Sequence, residues 1–133
     1  MTNADLGPTT RTRILLVDDD PEVRQLIRTQ LRKRDDLEVV GDAADGLEAI
    51  QRCLELQPDL VICNVSMPRM DGIDAVPGLR EAAPGARILM HSCHEDELTI
   101  RRAMNAGAHG YLFKGAVRLV LTAKIDDLMA QLV

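Results

Sequence analysis

Short apolar runs alternate with longer amphipathic segments along most of the chain. Four short runs that are mostly apolar predict strands at 13–17, 59–63, 87–91 and 110–113, and the segment 37–43 is also typical of a strand. Between them, apolar residues recur every three or four positions and predict helices at 21–34, 45–56, 74–83, 96–105 and 117–132. Because strands without polar alternation are buried on both faces, this order predicts an α/β fold: a doubly wound, five-stranded parallel sheet with helices on both faces.

The helical spacing also predicts which side chains face the sheet. The predicted inward residues are Leu47, Ile50 and Leu54 in the second helix, Ile100, Ala103 and Met104 in the fourth, and Val117, Leu121, Ile125, Leu128 and Leu132 in the last. Leu119, Met129 and Val133 fall off the last stripe. They indicate either ordinary surface or a patch for a partner or a second copy.

The composition fits one ordinary globular domain. Of 133 residues, 46% are hydrophobic and 28% are charged, which excludes a disordered or fibrous chain. Aromatic residues make up only 2%, so aliphatic side chains must build the core. We expect residues 1–12, which are small, polar and interrupted by Gly7 and Pro8, to form a flexible tail, and residues 13–133 to form a single domain without an output domain.

Charge and hydropathy narrow the class of partner. A net charge of −5 argues against a nucleic-acid partner, since phosphate binding needs a basic face. No apolar stretch reaches the length of a membrane span, and the N-terminus lacks a signal peptide, so we expect a cytoplasmic protein without membrane insertion. Cys53, Cys63 and Cys93 form no C-x-x-C pair and fit a reducing compartment, where buried thiols act as small apolar groups.

Polar side chains follow several of the predicted strands. In a parallel sheet, ligands bind beyond the carboxyl ends of the strands, so these residues are the candidates for chemistry. They are Asp18, Asp19 and Asp20 after the first strand, Asn64 and Ser66 after the third, His91 and Ser92 after the fourth, and Lys114 after the fifth. Acids, an amide, hydroxyls and an amine are therefore expected at one end of the sheet.

Four motifs in this order resemble the receiver domain of bacterial two-component response regulators. They are VDDD at 17–20, DLVICNVSMPRMDG at 59–72, ILMHS at 88–92 and AGAHGYLFKG at 106–115. The resemblance extends from about residue 13 to the end of the chain. It implies the strand order 2-1-3-4-5 and transfer of a phosphoryl group from a kinase phosphohistidine to an aspartate, with Mg²⁺ neutralising charge.

The resemblance also implies roles for individual residues. Asp18 and Asp19 would be the acid pair that holds Mg²⁺, together with the residue at position 64 and the backbone carbonyl of Ser66. Ser92 would be the switch hydroxyl, Lys114 the phosphoryl-binding lysine and Tyr111 the rotating aromatic. The face formed by the helix at 96–105, the strand at 110–113 and the last helix would contact protein partners.

The central departure from the family is Asn64, which stands at the phosphoacceptor aspartate. A carboxamide is neutral, its oxygen is a poor nucleophile, and its NH₂ group is a donor where a metal needs an acceptor. We therefore predict that aspartyl phosphorylation is blocked here and that Mg²⁺ binding is weakened. Whether Asn64 is natural or was engineered from aspartate is open, and the codon in the gene would decide.

Two smaller departures concern proline. Gly115 follows Lys114 where much of the family has proline, so the cis X-Pro bond is not available. Pro77 falls inside the third helical segment, and proline is tolerated only in a first turn. We therefore predict that this helix starts late, with Asp74 as its N-cap, or is distorted.

Several of these residues also have simpler interpretations. Asp20, directly before Pro21, is expected to cap the first helix. Apart from that cap, the simpler interpretation makes Asp18, Asp19 and Asn64 plain turn residues. In the same interpretation Ser92 ends a strand, Lys114 is a surface charge and Tyr111 is a packing residue. The residues of metal-ligand type at 91–96 also suggest a transition-metal site. However, neighbours on an extended strand point to opposite faces and cannot all converge on one ion.

The leading functional prediction is an atypical stand-alone receiver, not an enzyme, that acts by binding a protein, with a histidine kinase among the candidate partners. We expect a monomer or a weak homodimer. The first alternative is a conventional receiver whose acceptor was replaced by Asn64. A remote alternative is a Mg²⁺-dependent phosphatase that uses Asp18 as its nucleophile, from the loose D-x-D pattern of Asp18 and Asp20.

Overall fold

A computed structural model describes residues 11–131 and contains a five-stranded parallel sheet. The strands are β1 (Thr12–Val17), β2 (Leu37–Ala43), β3 (Leu60–Asn64), β4 (Arg87–Ser92) and β5 (Gly110–Phe113). Their order is β2-β1-β3-β4-β5, and every neighbouring pair is parallel. The predicted fold class and strand order are confirmed, and β1 begins at the last residue assigned to the tail. Residues 1–10 of that tail lie outside the described residues.

Five helices connect and follow the strands. They are α1 (Pro21–Leu31), α2 (Gly46–Leu56), α3 (Gly72–Ala82), α4 (Glu97–Ala106) and α5 (Val117–Ala130), and a single 3₁₀ turn (Lys114–Ala116) precedes α5. An aspartate caps each of the first four helices by accepting a backbone N–H: Asp20, Asp45, Asp71 and Asp96. These caps start the helices directly beyond the carboxyl ends of the strands, where the candidate site lies.

Two aliphatic layers hold the helices on opposite faces of the sheet. One layer includes Ala49 and Cys53 of α2, Val76 and Leu79 of α3 and Ala103 of α4. The other includes Ile27 and Leu31 of α1 and Val117, Leu121, Ile125 and Leu128 of α5. The sheet is thus covered on both sides, which is why its strands carry so few polar residues.

The predicted inward face of α2 is wrong in two positions. Leu47 and Leu54 are 50% and 56% exposed, whereas Ala49 and Cys53 are fully buried. The reason is close packing against α3: a Cβ added to Gly78 would lie 2.6 Å from Cδ1 of Ile50. Small residues at such a contact allow two helices to approach, so the leucines turn outward.

The other helix faces are mostly as predicted. In α4, Ala103 is buried but Met104 is exposed, so the stripe there is narrower than expected. In α5, Val117, Leu121, Ile125 and Leu128 are buried. Leu119 is 85% exposed, while Met129 packs on the edge of the core. Leu132 and Val133 lie outside the described residues.

The prediction for the third helix is wrong. It begins at Gly72, with Asp71 rather than Asp74 as its N-cap, and continues through Pro77 to Ala82. The Asp71 carboxylate accepts the backbone N–H of Asp74 at 2.8 Å, which fixes the early start. Burial of Ile73, Val76 and Leu79 outweighs the backbone hydrogen bond that Pro77 cannot donate.

Replacement of Pro77 by alanine is therefore expected to stabilise the protein. Pro77 is exposed, so no core packing is lost, and alanine restores the donor to the carbonyl of Ile73. We expect Pro77→Ala to raise the free energy of unfolding by about 1–2 kcal/mol in urea titrations. Pro84→Ala, in the turn after the helix, is the control and is expected to change stability by less than about 1 kcal/mol in either direction. A loss of stability in Pro77→Ala would contradict this account.

The three cysteines differ in burial. All three are free thiols, and Cys53 and Cys63 are buried as predicted. Cys93 is exposed, because it stands in the loop after β4 rather than in a core strand, so the expectation of burial is wrong for this residue. Within residues 11–131, no helix is long and apolar enough to cross a lipid bilayer.

Candidate functional site

An acid pair opens the site at the end of β1. Asp18 is 1% exposed, and its Oδ1 accepts the backbone N–H of Asp20 at 2.8 Å. Asp19 is exposed at the pocket mouth. Asp20 caps α1 through the N–H of Glu22, as predicted. The turn therefore divides the three acids: Asp20 caps the helix at the edge of the pocket, while Asp18 and Asp19 carry the carboxylates that other pocket residues contact.

Asn64 ends β3 in the middle of the sheet and is 5% exposed. Its Nδ2 donates to the carbonyl of Ser66 at 2.7 Å and to Oδ1 of Asp19 at 3.3 Å. The amide must present its NH₂ group here, since its oxygen would face two other oxygen acceptors. Asn64 is thus a double donor inside the acid pocket and not an unengaged turn residue.

Lys114 reaches the site from the end of β5. Its Nζ lies 3.1 Å from Oδ2 of Asp18. A second cation approaches from α1, where Nη1 of Arg24 donates to the backbone carbonyl of Asp18 at 2.5 Å. Both cations therefore lie on Asp18, whereas the Asn64 amide bonds to Asp19 and Ser66.

Ser92 and Tyr111 are joined through His94. The Ser92 hydroxyl oxygen accepts the backbone N–H of His94 at 3.0 Å. The Tyr111 hydroxyl donates to the carbonyl of the same residue at 2.9 Å. Ser92 and Tyr111 are therefore bonded to the two backbone polar groups of the same loop residue.

His91 lies beneath the acid pair. It is 1% exposed, and its Nε2 lies 3.5 Å from Oδ2 of Asp18. Burial, and secondarily the charge of Lys114, lowers the pKa of His91 to about 3. The ring is therefore neutral near pH 7, and Lys114 is the cation paired with the Asp18 carboxylate.

The loop after β3 is anchored to α2. The Arg69 guanidinium pairs with Asp45, the cap of α2, and the N–H of Gly46 donates to the carbonyl of Met70 at 3.1 Å. Hydrogen bonds from the Glu48 backbone, together with Arg69, lower the pKa of Asp45, which keeps it ionised. Arg69 adopts a positive φ of 66°, which is uncommon for a residue other than glycine. The contacts of Arg69 and Met70 with the start of α2 fix the far end of the loop that carries Ser66.

These residues form one open pocket at the carboxyl end of the sheet. It is lined by Asp18, Asp19, Asp20, Asn64, Ser66, Ser92, Cys93, His94 and Lys114. The predicted convergence is therefore observed, with Tyr111 one hydrogen bond away at His94. Sequence reasoning missed Arg24, Arg69 and the linking role of His94. Of these, only Arg24 could have been identified from the sequence, because it lies one turn into the helix that follows the three acids.

Comparison with known proteins identifies the family. The model of the response regulator receiver domain matches residues 14–126. The chain belongs to the response-regulator receiver family. Receiver domains take part in two-component signalling, generally have no enzymatic activity of their own, interact with proteins such as kinases, and generally bind Mg²⁺ at the acidic pocket.

Relatives and solved structures agree with this assignment. The receiver is 39% identical over 102 residues to the uncharacterized transcriptional regulatory protein YhcZ of Bacillus subtilis, covering 77% of this chain and 48% of that protein. It is 36% identical over 102 residues to the response regulator protein VraR of Staphylococcus aureus, covering 77% and 49%. The chain thus spans about half the length of these curated relatives.

A LuxR-family two-component response regulator from Aurantimonas has the same fold, with a TM-score of 0.86 and 35% identity. The match covers 91% of this chain and 86% of that one. The receiver domain of the response regulator NarL from Mycobacterium tuberculosis gives a TM-score of 0.82 at 28% identity, covering 90% and 97%. The fold and the strand order are therefore those of a receiver.

The oxygen atoms in the pocket suit Mg²⁺ only in part. Asp18, Asp19 and the Ser66 carbonyl supply oxygens of the kind that Mg²⁺ prefers. Each of them already has a partner within the protein: Lys114 on Asp18, and the Asn64 amide on Asp19 and Ser66. The residues of metal-ligand type at 91–96 lie in three different surroundings. His91 is buried beneath the pocket, Cys93 and His94 line it, and Asp96 caps α4.

Proposed function

We propose that this receiver acts by binding a protein partner and that its state is not set by aspartyl phosphorylation at position 64. The observation that carries the proposal is the Asn64 amide, which donates to Ser66 and Asp19 from the position of the phosphoacceptor. A carboxamide in that position offers no carboxylate oxygen for in-line attack on a phosphoryl group.

The acid pair does not substitute for the missing acceptor in this proposal. Asp18 is buried, with Oδ1 bonded to the Asp20 backbone and Oδ2 against Lys114. Asp19 accepts a hydrogen bond from Asn64 and lies at the rim. We propose that Asp18 and Asp19 form the acid pair, Ser92 and Tyr111 the switch pair and Lys114 the phosphoryl-binding lysine, with Mg²⁺ binding weakened by Asn64.

The partner is proposed to bind the face formed by α4, β5 and α5. Apolar side chains are exposed there, on α4 at Leu98 and Met104 and on α5 at Leu119 and Val120. Tyr111 lies on the strand between them and is tied to the loop that precedes α4. A histidine kinase or a second copy of the chain is among the partners this face would accept.

A pull-down with matched leucine variants tests this face. The tagged chain would be used to capture proteins from a lysate of the source cell, with identification by mass spectrometry. We expect Leu119→Ser to lower recovery of the specific partner by about tenfold, since exposed apolar anchors contribute most of the energy of such contacts. Addition of acetyl phosphate and Mg²⁺ to the bait is expected to leave recovery unchanged.

Leu54→Ser is the control for that experiment. Leu54 is also an exposed leucine on a helix, but it lies on α2, away from the proposed face. Recovery of the partner is expected to be unchanged in this variant. Loss of the partner in Leu54→Ser but not in Leu119→Ser, or recovery that requires the phosphodonor, would overturn the proposal.

Three further parts of the assignment stay predictions. The absence of a nucleic-acid partner is one, since the Bacillus subtilis relative is named a transcriptional regulatory protein. The absence of enzymatic activity is another. A relative from Maricaulis maris, 39% identical over 105 residues, is a protein-glutamate methylesterase and protein-glutamine glutaminase, of which this chain covers 26%. The third is the oligomeric state, a monomer or a weak homodimer.

A further inference from the structure

We infer that the acid pocket carries two internal substitutes for a cation, the Lys114 ammonium and the Asn64 NH₂ group, and that together they exclude Mg²⁺. This inference rests on the proposed function in one respect, the assignment of position 64 to the phosphoacceptor. It goes beyond the weakened Mg²⁺ binding proposed above, because it identifies the two groups that Mg²⁺ would have to displace from the pocket oxygens. It also predicts that removal of the Lys114 charge, or of the Asn64 NH₂ group, will increase metal affinity.

The Asn64 amide engages two of the oxygens that a cation would need. Its Nδ2 lies 2.7 Å from the Ser66 carbonyl and 3.3 Å from Asp19 Oδ1, so one NH₂ group bridges the loop after β3 and the acid pair. Asn64 is buried, so its NH₂ group is held in place, while the two acceptors belong to residues exposed at the pocket. A metal at these oxygens would have to break both hydrogen bonds and bring a positive charge against the amide hydrogens.

Lys114 supplies the charge that the amide lacks. Its ammonium lies 3.1 Å from Oδ2 of Asp18, a carboxylate that is almost completely buried. Since Asn64 is neutral, Asp18 is the buried carboxylate that Lys114 can neutralise in this pocket. The guanidinium of Arg24 on the Asp18 carbonyl adds to the positive potential. A divalent cation would be repelled by both groups unless Lys114 moved away.

Mg²⁺ titration of the purified full chain tests the inference by isothermal calorimetry, with Mn²⁺ as a second probe by electron paramagnetic resonance. Lys114→Gln frees the Asp18 carboxylate, and we expect Mg²⁺ affinity to rise by roughly tenfold over the parent chain. Lys33→Gln makes the same change in net charge at an exposed position in the turn after α1 and is expected to leave the affinity unchanged. An equal gain in both variants would mean that net charge alone is responsible, which overturns the inference.

Asn64→Ala tests the amide independently of Lys114. The substitution removes a potential oxygen ligand, so affinity would fall if the Asn64 oxygen helped to bind metal. Our inference predicts the opposite, a rise of about fivefold, because Asp19 and the Ser66 carbonyl lose their internal donor. Circular dichroism and urea titration establish that each variant is folded, and either variant suffices if the other does not fold.

The outcomes separate this inference from the proposed function. Tight Mg²⁺ binding by the parent chain, or a decrease in Asn64→Ala, overturns the internal substitutes even if the partner binds as proposed. Conversely, recovery of a partner only with phosphodonor overturns the proposed function and leaves the metal titrations unaffected, since they need no partner.

Discussion

Asn64→Asp is expected to convert a receiver that does not accept phosphate into one that does. Incubated with Mg²⁺ and acetyl phosphate, the variant should gain one phosphoryl group by intact mass, while the parent chain should gain none. The difference in rate is expected to span several orders of magnitude, as it does when a nucleophile is removed from an active site. The rest of the pocket supports this, since Asp18, Asp19, Ser66, Ser92 and Lys114 already converge around position 64.

Asn105→Asp is the matched control for the phosphorylation experiment. Asn105 is exposed on α4, outside the residues that line the pocket, and the substitution changes side chain and charge in the same way. No phosphoryl group is expected on this variant. Labelling of the parent chain would contradict the central role assigned to Asn64, and the labelled residue would then be mapped. If neither Asn64→Asp nor the parent is labelled, the pocket has lost further function and the fold serves only as an interaction surface.

Gly72→Ala is expected to destabilise the protein by about 2–3 kcal/mol, because the added carbon has no space. A Cβ at this position would overlap the carbonyl oxygen of Asn64 and lie 2.9 Å from the carbonyl carbon of the same residue. Both are backbone atoms at the end of a buried strand and cannot rotate away. The N–H of Gly72 also donates to the Val65 carbonyl at 2.7 Å, so α3 cannot withdraw without breaking that bond.

Gly85→Ala is the control, and urea titration of both variants is the measurement. A Cβ at Gly85 would meet nothing within 4 Å. Because alanine also restricts the unfolded chain, Gly85→Ala is expected to be neutral or to stabilise by about 0.5–1 kcal/mol. Helix propensity alone would predict that Gly72→Ala stabilises, since alanine is the better helix former. A stable Gly72→Ala variant would therefore mean that the Asn64 carbonyl can move away from the added carbon.

The helices mark where local pattern stops being informative. Periodicity located all five, and Asp20 before Pro21 identified the start of α1. It failed for α2, where Leu47 and Leu54 have the spacing of a buried face but Ala49 and Cys53 occupy it. It also failed for α3, where Pro77 argued for a late start that the Asp71 cap and the burial of Val76 override. The α2 error arises because packing against α3 decides which face is buried. The α3 error arises because the Asp71 cap and core burial outweigh the hydrogen bond that Pro77 cannot donate.

The same division holds at the candidate site. The order of apolar runs and the residues that end them were sufficient to predict a parallel sheet, the edge at which it binds ligands, and most of the side chains that line the pocket. The partners of those side chains depended on the tertiary structure. The ion pair of Lys114 with Asp18, the hydrogen bond of Asn64 to Asp19 and that of Tyr111 to His94 join segments far apart in the chain. They complete two local contacts, from Asn64 to Ser66 and from His94 to Ser92. Periodicity depends on neighbours along one segment and is therefore visible in the sequence. Hydrogen bonds at the pocket depend on how the ends of four strands meet, and only the folded chain decides that.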